Sequence, residues 1–423
     1  MASKIINVFA DWHEKKSPTL MGALRAESLR GNEVFSFEYD PTWLKNNDAL
    51  LLDPDLHWYK GPQYLPEEKL NFGLFLDSSP DRWGRVLMRR REALMARLEE
   101  RPQHTLLSSD YLLGVYDEHR MGALRFREDP DGSFLNDNKE MAAPPWTTLR
   151  ELEHASLQLE KDDSVDDPEY LNWLNLLTAP GSSLGGARPK ASVLDQHNHL
   201  WIAKFPSIND NIDVGGWEMV VYELATCSGI QMSEAKIEHF SSRQYTFLTK
   251  RFDRTNQRKR IHFASAMTLL GCQDGDDFHS GISYLDLVGF IQQHGDKNKV
   301  DSDLEQLWRR IVFSICVKNT DDHLRNHGFL LGSNGWYLSP AYDLNAAPTG
   351  NGLTLNISDE DNSLSLELAL SVADFFRLDS EKAQSIIDQT QKVVAAWRSV
   401  ANKYGIPRRE QEMMSMAFEG GRV

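Results

Sequence analysis

The chain has 423 residues, 41% hydrophobic and 10% aromatic, and a formal net charge of −16 from 46 basic and 62 acidic side chains. That length exceeds one compact core and predicts two or three subdomains, while the composition is that of an ordinary folded protein and excludes a disordered chain. The acidic balance argues against broad nonspecific nucleic-acid binding, although a local basic face is compatible with it.

Cys227, Cys272 and Cys316 lie far apart with no CxxC pair, so neither a disulfide framework nor a thiolate zinc site is indicated. No apolar run approaches a membrane span, and the expectation is a soluble, cytoplasmic protein without membrane contact.

Along the first ~125 residues short strands and helices alternate. Phe35, Phe37 and Tyr39 alternate with polar neighbours and predict a half-buried strand. Ser79-Pro80-Asp81 predicts a helix start: a capping hydroxyl, a proline in the first turn, then an acid at the positive end of the dipole. The helix it opens carries Trp83, Val86, Leu87, Leu94 and Leu98 as an apolar stripe, interrupted by Arg89, Arg90 and Arg91, which read as a solvated face, with a phosphorylated or acidic partner as the alternative. Met-Gly-Ala-Leu-Arg occurs at 21–25 and again at 121–125, without a longer repeat, and reads as two similar strand edges. The Asp-, Gly-, Asn- and Pro-rich run from Arg127 to Ala143 reads as a linker. Asp167 and Pro168 read as the start of a further helix.

Next comes a glycine-rich loop, Gly181-Ser-Ser-Leu-Gly-Gly-Ala-Arg-Pro-Lys190. A predicted hairpin follows, Ala191–Leu194 and Leu200–Phe205 about the turn Asp195-Gln-His-Asn198. Trp217, Val220, Val221, Leu224 and Ala225 form one face of a helix that ends just before Gly229. After a strand at Tyr245–Thr249 the pattern becomes mainly helical, and Leu304, Leu307, Trp308, Ile311, Val312 and Ile315 predict a buried helix running into Asn319. A small β-rich lobe followed by a helical lobe is the layout with which kinases hold a nucleotide.

The decisive segment is Asn319-Thr-Asp-Asp-His-Leu-Arg-Asn326, followed by Tyr342-Asp343-Leu344. In protein kinases a catalytic-loop Asp is followed five residues later by a metal-binding Asn, with a second metal Asp further on. Asp321, Asn326 and Asp343 have that order. Asp321 is the candidate base or orienter for an attacking hydroxyl, and Asp322 is a rival whose spacing to Asn326 is wrong by one. Asn326 and Asp343 are candidate Mg²⁺ ligands, since Mg²⁺ takes few protein oxygens and retains waters. His323 and His327 invite a zinc reading, but further ligands are not evident, and His323 is assigned to orienting the loop.

Gly185, Gly186 and Ala187 would let backbone N–H groups approach ATP phosphates, with Lys190 adding positive charge. Arg188-Pro189 before the lysine excludes a P-loop, and a plain turn is the bland alternative. Lys204 sits on an apolar strand, a costly place for an ammonium without an anionic partner. A phosphate or Glu218 on the following helix would supply one; an exposed edge lysine is the alternative. Phe252, in Arg251-Phe-Asp-Arg254, is a candidate adenine-pocket residue or a core phenylalanine.

These segments resemble the HipA family of bacterial serine/threonine kinase toxins over nearly the whole chain. Ser183-Leu-Gly-Gly-Ala-Arg-Pro-Lys190, Lys-Arg-Phe-Asp-Arg254, Asn-Thr-Asp-Asp-His-Leu-Arg-Asn326 and Ser-Pro-Ala-Tyr-Asp-Leu344 are similar to its core motifs. Asp110-Tyr-Leu-Leu-Gly-Val-Tyr-Asp117 with Gly-Ala-Leu-Arg-Phe126 is similar to its N-terminal subdomain. The resemblance implies an α+β, protein-kinase-like two-lobed fold with an N-terminal α/β subdomain and a helical C-terminal lobe. Its divisions would be 1–126, 127–250 carrying the glycine-rich loop, and 251–423 carrying the catalytic loop.

The resemblance further implies autophosphorylation at Ser183 or its neighbour Ser182, ATP contact by Lys204, catalysis by Asp321, and Mg²⁺ on Asn326 and Asp343. It implies a HipB-like helix-turn-helix antitoxin as partner, with DNA reached mainly through it. The implied substrate is an aminoacyl-tRNA synthetase or other translation protein, whose phosphorylation arrests growth. Arg188-Pro189 and the segment Phe72–Pro80 depart from the founding pattern, which bears on substrate identity. The rival reading is a catalytically weak co-repressor acting with its antitoxin on DNA, and a third is a small-molecule phosphotransferase.

Overall fold

The computed structural model describes residues 3–29, 31–66, 69–139, 142–161, 167, 169–178 and 188–419. The chain divides into two compact units: residues 1–209 with 240–242 and 253–264, and residues 210–239, 243–252 and 265–423.

The first unit is built on a five-stranded antiparallel sheet of β1 (Ser3–Ala10), β2 (Thr19–Leu29), β3 (Asn32–Tyr39), β4 (Gln63–Tyr64) and β5 (Leu124–Arg127), in the order β4-β3-β2-β1-β5. Period-two alternation puts Ile6, Val8 and Ala10 of β1 and Phe35, Phe37 and Tyr39 of β3 in the core. Leu24 stands opposite both Ile6 and Phe37, which fixes the register. The two Met-Gly-Ala-Leu-Arg copies flank β1, with Leu24 opposite Ile6 and Leu124 opposite Ala10. Gly22 is required there, because a Cβ would lie 2.3 Å from the Glu38 carbonyl oxygen.

The helices of this unit are α1 (Pro41–Asn46), α2 (Gly73–Leu76), α3 (Arg82–Leu98), α4 (Ser108–Gly114), α5 (Leu149–Leu159) and α6 (Tyr170–Thr178). The cap of α3 differs from expectation. Asp81, not Ser79, is the N-cap, accepting from Gly84 N at 2.8 Å, while the Ser79 hydroxyl donates to the Phe75 carbonyl. Leu98, expected in the stripe, is 58% exposed at the end of the helix. Arg90 is not merely solvated, since it donates to the Leu159 carbonyl at 2.6 Å.

The stretch after Arg127 is docked rather than loose. Leu135 N donates to Phe126 O, Asn136 N to Val115 O, and Asp117 N to Asn136 O. Buried Arg120 donates to the carbonyls of Ser78, Leu112, Val115 and Leu135, so one guanidinium serves four backbone carbonyls. The hairpin β6 (Lys190–Leu194) and β7 (Leu200–Lys204) closes as expected, with Asn198 in the left-handed region at φ 59°. Asp253 and Arg254 belong to this unit. Asp253 accepts from Gly122 N, and Arg254 donates to the carbonyls of Glu118 and Arg120.

The second unit contains α7 (Val214–Cys227), β8 (Ala235–Glu238), β9 (Thr246–Lys250), α8 (Ala266–Leu269), α9 (Tyr284–His294) and α10 (Val300–Val317). The hairpin β10 (Gly328–Gly332) and β11 (Gly335–Leu338) follows, then α11 (Leu366–Ser371), α12 (Ser380–Val394), α13 (Trp397–Lys403) and α14 (Arg408–Met414). Asp213 caps α7 through Gly216 N, and Trp217 packs its ring on Trp397 and Phe418. From Leu304 onward α10 is almost wholly buried, and it stops where Lys318 adopts the left-handed conformation at φ 49°. That stop delivers the chain into residues 319–327.

Candidate active site

Asn319 anchors the loop to the helix it leaves. It is 1% exposed, its N–H donates to Ser314 O at 2.8 Å, and its Oδ1 accepts from Asn345 N at 3.3 Å. The loop then closes on itself: His323 N donates to Asp321 O and Asn326 N to His323 O. Asn326 Nδ2 also donates to Asp321 O at 2.9 Å. Asp321, His323 and Asn326 are thereby held in one turn, residues 321–326.

The two aspartates of the doublet occupy different environments. Asp321 is exposed, whereas Asp322 is 1% exposed. Asp322 Oδ2 accepts the Tyr284 hydroxyl at 2.6 Å, and its Oδ1 lies 3.2 Å from His327 Nε2. Burial alone would raise the Asp322 pKa, but His327 and the Tyr284 hydrogen bond outweigh it and hold the carboxyl below its usual range. The Asp322 carboxylate is therefore closed off from solvent. His327 faces that carboxylate while His323 sits in the turn, and among the described residues no group of three or more His, Cys, Asp or Glu is arranged to hold a metal.

Asn326 is 5% exposed, and its Oδ1 has no hydrogen-bond donor among the described residues. A buried amide oxygen without a donor is costly, and a hard cation is one partner that offsets the cost. Asp343 adopts φ 57°, an uncommon conformation for a non-glycine residue and one that concentrates at functional sites. Asn345 links the two segments, its Nδ2 lying 3.4 Å from Asp343 Oδ1 while its N–H reaches Asn319. The residues present thus fit a hard divalent cation: Asn326 and Asp343 offer oxygen donors, one of them otherwise orphaned.

Phe252 is half-buried with its ring 5.4 Å from that of Tyr342, whose hydroxyl donates to Arg325 O. Glu218 lies on α7 and is 6% exposed. In the other unit, Lys190 and Lys204 stand directly opposite each other at the open end of the β6–β7 hairpin. Like charges so placed repel. The Asp81 carboxylate lies 3.0 Å from Lys190 Nζ, with both side chains almost fully buried, and offsets one of the two charges. Ser182, Ser183, Gly185, Gly186 and Ala187 lie outside the described residues. Tyr284, Arg310 and Asn345 were missed in the sequence. A tyrosine at a helix start and an arginine within an apolar helix carry no local signal of a site.

Residues 182–397, just over half of the chain, match the family model described as the HipA-like C-terminal domain. The chain belongs to this HipA-like family. A solved structure of the Shewanella oneidensis HipA toxin, in complex with HipB and its operator DNA, aligns with TM-score 0.64 over 98% of this chain and 95% of that one. At 16% identity that likeness is one of fold, and it gives this HipA-like chain the α+β class expected from the sequence. A Haemophilus influenzae protein named “Putative kinase” is 26% identical over 181 residues. The match takes in 38% of this chain and 52% of that protein, so the chain spans about half the length of this curated relative. The Helicobacter pylori proinflammatory kinase CtkA aligns at 17% identity over 56% of this chain and 93% of its own, with TM-score 0.36, too low to argue from. No described helix is long and apolar enough to cross a membrane.

Proposed function

We propose that this HipA-like chain is an ATP- and Mg²⁺-dependent serine/threonine protein kinase that acts as a growth-arresting toxin. The observation that carries the reading is the 321–326 turn, with an exposed carboxylate at one end and a buried, donor-less amide oxygen at the other. In this reading the substrate hydroxyl oxygen bonds to the terminal phosphorus of ATP as the bond to the ADP oxygen breaks. Asp321 orients that hydroxyl and accepts its proton. Asn326 and Asp343 would hold Mg²⁺, which when bound would supply positive charge for the phosphate oxygens. Lys204 and Lys190 add positive charge, Gly185, Gly186 and Ala187 approach the phosphates, Glu218 pairs with Lys204, Phe252 lines the adenine site, and His323 orients the loop.

The substrate is proposed to be an aminoacyl-tRNA synthetase or another translation protein, with autophosphorylation at Ser183 or Ser182. The division at 1–126, 127–250 and 251–423 belongs to the same proposal, as does a cytoplasmic location. A HipB-like antitoxin that carries the chain to DNA is proposed from the Shewanella complex. A second reading, prompted by the DNA in that complex, is a co-repressor with weak catalysis that acts with its antitoxin.

The test is purified protein with labelled ATP and a cell lysate. Label on a single lysate protein and on the chain itself is expected. Asp321→Ala and Asp343→Ala should each lower the rate at least about a hundredfold, as for a positioned acid–base group, with folding little changed. Near wild-type transfer by either variant would end the kinase reading.

A further inference from the structure

Of the two adjacent aspartates, the buried one has no role in the mechanism above, yet it is the more elaborately held. Asp322 is bracketed by Tyr284 and His327, and buried Arg310 of α10 provides a nearby positive charge. Arg310 donates through Nη2 to Ser339 O, while its Nε and Nη1 have no hydrogen-bond acceptor among the described residues. A carboxylate, a guanidinium, a phenol and an imidazole thus share one buried region.

Such a site is a poor source of stability, because well-packed apolar side chains of similar volume are usually as stable or more so. Its placement suggests another use. Asp322 directly follows Asp321, and His327 directly follows Asn326, so the buried pair clamps both ends of the turn from beneath. Tyr284 is itself fixed: it opens α9 behind the Ser283–Asp286 capping box, and its N–H donates to Asn356 O at 2.9 Å.

We propose that Asp322 is a positioning residue which, held by Tyr284 and His327, keeps Asp321 and Asn326 in register for the hydroxyl and the metal. The proposal rests on the kinase reading for its consequence in catalysis, though not for the geometry of the clamp. A misplacement of about 1 Å at a reacting centre costs roughly a hundredfold in rate, so a loosened clamp should be felt in turnover more than in nucleotide binding.

Tyr284→Phe is the variant of choice, because it keeps the buried ring and deletes only the hydroxyl. Turnover in phosphoryl transfer should fall about ten- to a hundredfold, with KM for ATP within about twofold. Independently of activity, amide hydrogen exchange should accelerate in residues 320–327 while α10 stays protected, and Mn²⁺ should bind more weakly. Unchanged exchange and unchanged Mn²⁺ affinity would overturn the clamp. Faster exchange spread over the whole second unit would also overturn it, by showing a general loss of packing. Should the wild-type protein transfer no phosphate at all, the kinase reading falls while exchange and Mn²⁺ affinity still decide the clamp.

Discussion

His262 is 1% exposed and stacks on Trp12 with ring centroids 5.4 Å apart. Burial lowers its pKa to about 3, far below an ordinary imidazole. The native state therefore favours the neutral ring. The stability this contributes is present above about pH 6.5 and is lost as pH falls from there toward about 3, at about 1.4 kcal/mol per pH unit. Asp53 in the same unit opposes it: burial raises its pKa to about 6, so the folded protein keeps that proton where the unfolded chain releases it. The contribution of Asp53 is present below about pH 3.8 and is lost as pH rises to about 6. The clean comparison is wild type against His262→Phe in urea unfolding between pH 7 and pH 4.5. The wild-type advantage should shrink, or its deficit grow, on acidification, and parallel pH profiles would refute the assignment. Residue chemistry of this kind is only partly legible in a sequence. The spacing to Asn326 favours Asp321 over Asp322, but which carboxylate meets solvent is a matter of burial. Tyr284 meets Asp322 across a separation of 38 residues, and no local pattern announces that contact.

At the scale of elements, the ion pair of Asp81 with Lys190 joins the start of α3 to the start of β6, the residue where the glycine-rich loop ends. Burial raises the Asp81 carboxyl pKa, against the pull of Lys190, so the pair is held under a desolvation cost. Asp81→Asn preserves an oxygen for the cap but withdraws the carboxylate from Lys190. Breaking one side of a buried pair costs about 3–5 kcal/mol, whereas removing both charges is often close to neutral. Asp81→Asn should therefore unfold at clearly lower urea than wild type. Asp81→Leu/Lys190→Met should recover much of the loss, less about 1 kcal/mol for the missing cap. A double variant no more stable than Asp81→Asn would show that the pair is not what the single variant breaks. The elements themselves were largely legible: alternation gave β3, the 3.6-residue period gave α7 and α10, and the Asp195–Asn198 turn gave the β6–β7 hairpin. What escaped was tertiary. The stretch after Arg127 reads as a linker by composition, yet its backbone N–H and C=O groups pair with Val115, Asp117 and Phe126, partners that composition cannot reveal.

For the whole molecule, the order of motifs was more informative than any one of them. The family match over residues 182–397 spans the segments that carry those motifs. If the chain binds MgATP in its folded state alone, its stability must rise with ligand, by about 2.7 kcal/mol at a hundredfold excess over Kd. Lys204→Ala and Asp343→Ala should each diminish the rise in melting temperature. Phosphate on Ser183 or Ser182 would place about −1.5 to −2 charges on the loop proposed to cradle the phosphates of ATP. Like-charge repulsion should then oppose nucleotide binding, and Arg188 is positioned in sequence to hold the modified loop elsewhere. Incubation with MgATP should yield phosphate on one of these serines by mass spectrometry, and none in Asp321→Ala. The phosphorylated protein should show a smaller MgATP-induced rise in melting temperature than the same protein after phosphatase treatment. Ser182→Ala/Ser183→Ala should keep the full rise however long it is incubated. Stoichiometric phosphorylation that left the rise unchanged would remove the switch while leaving the kinase reading intact.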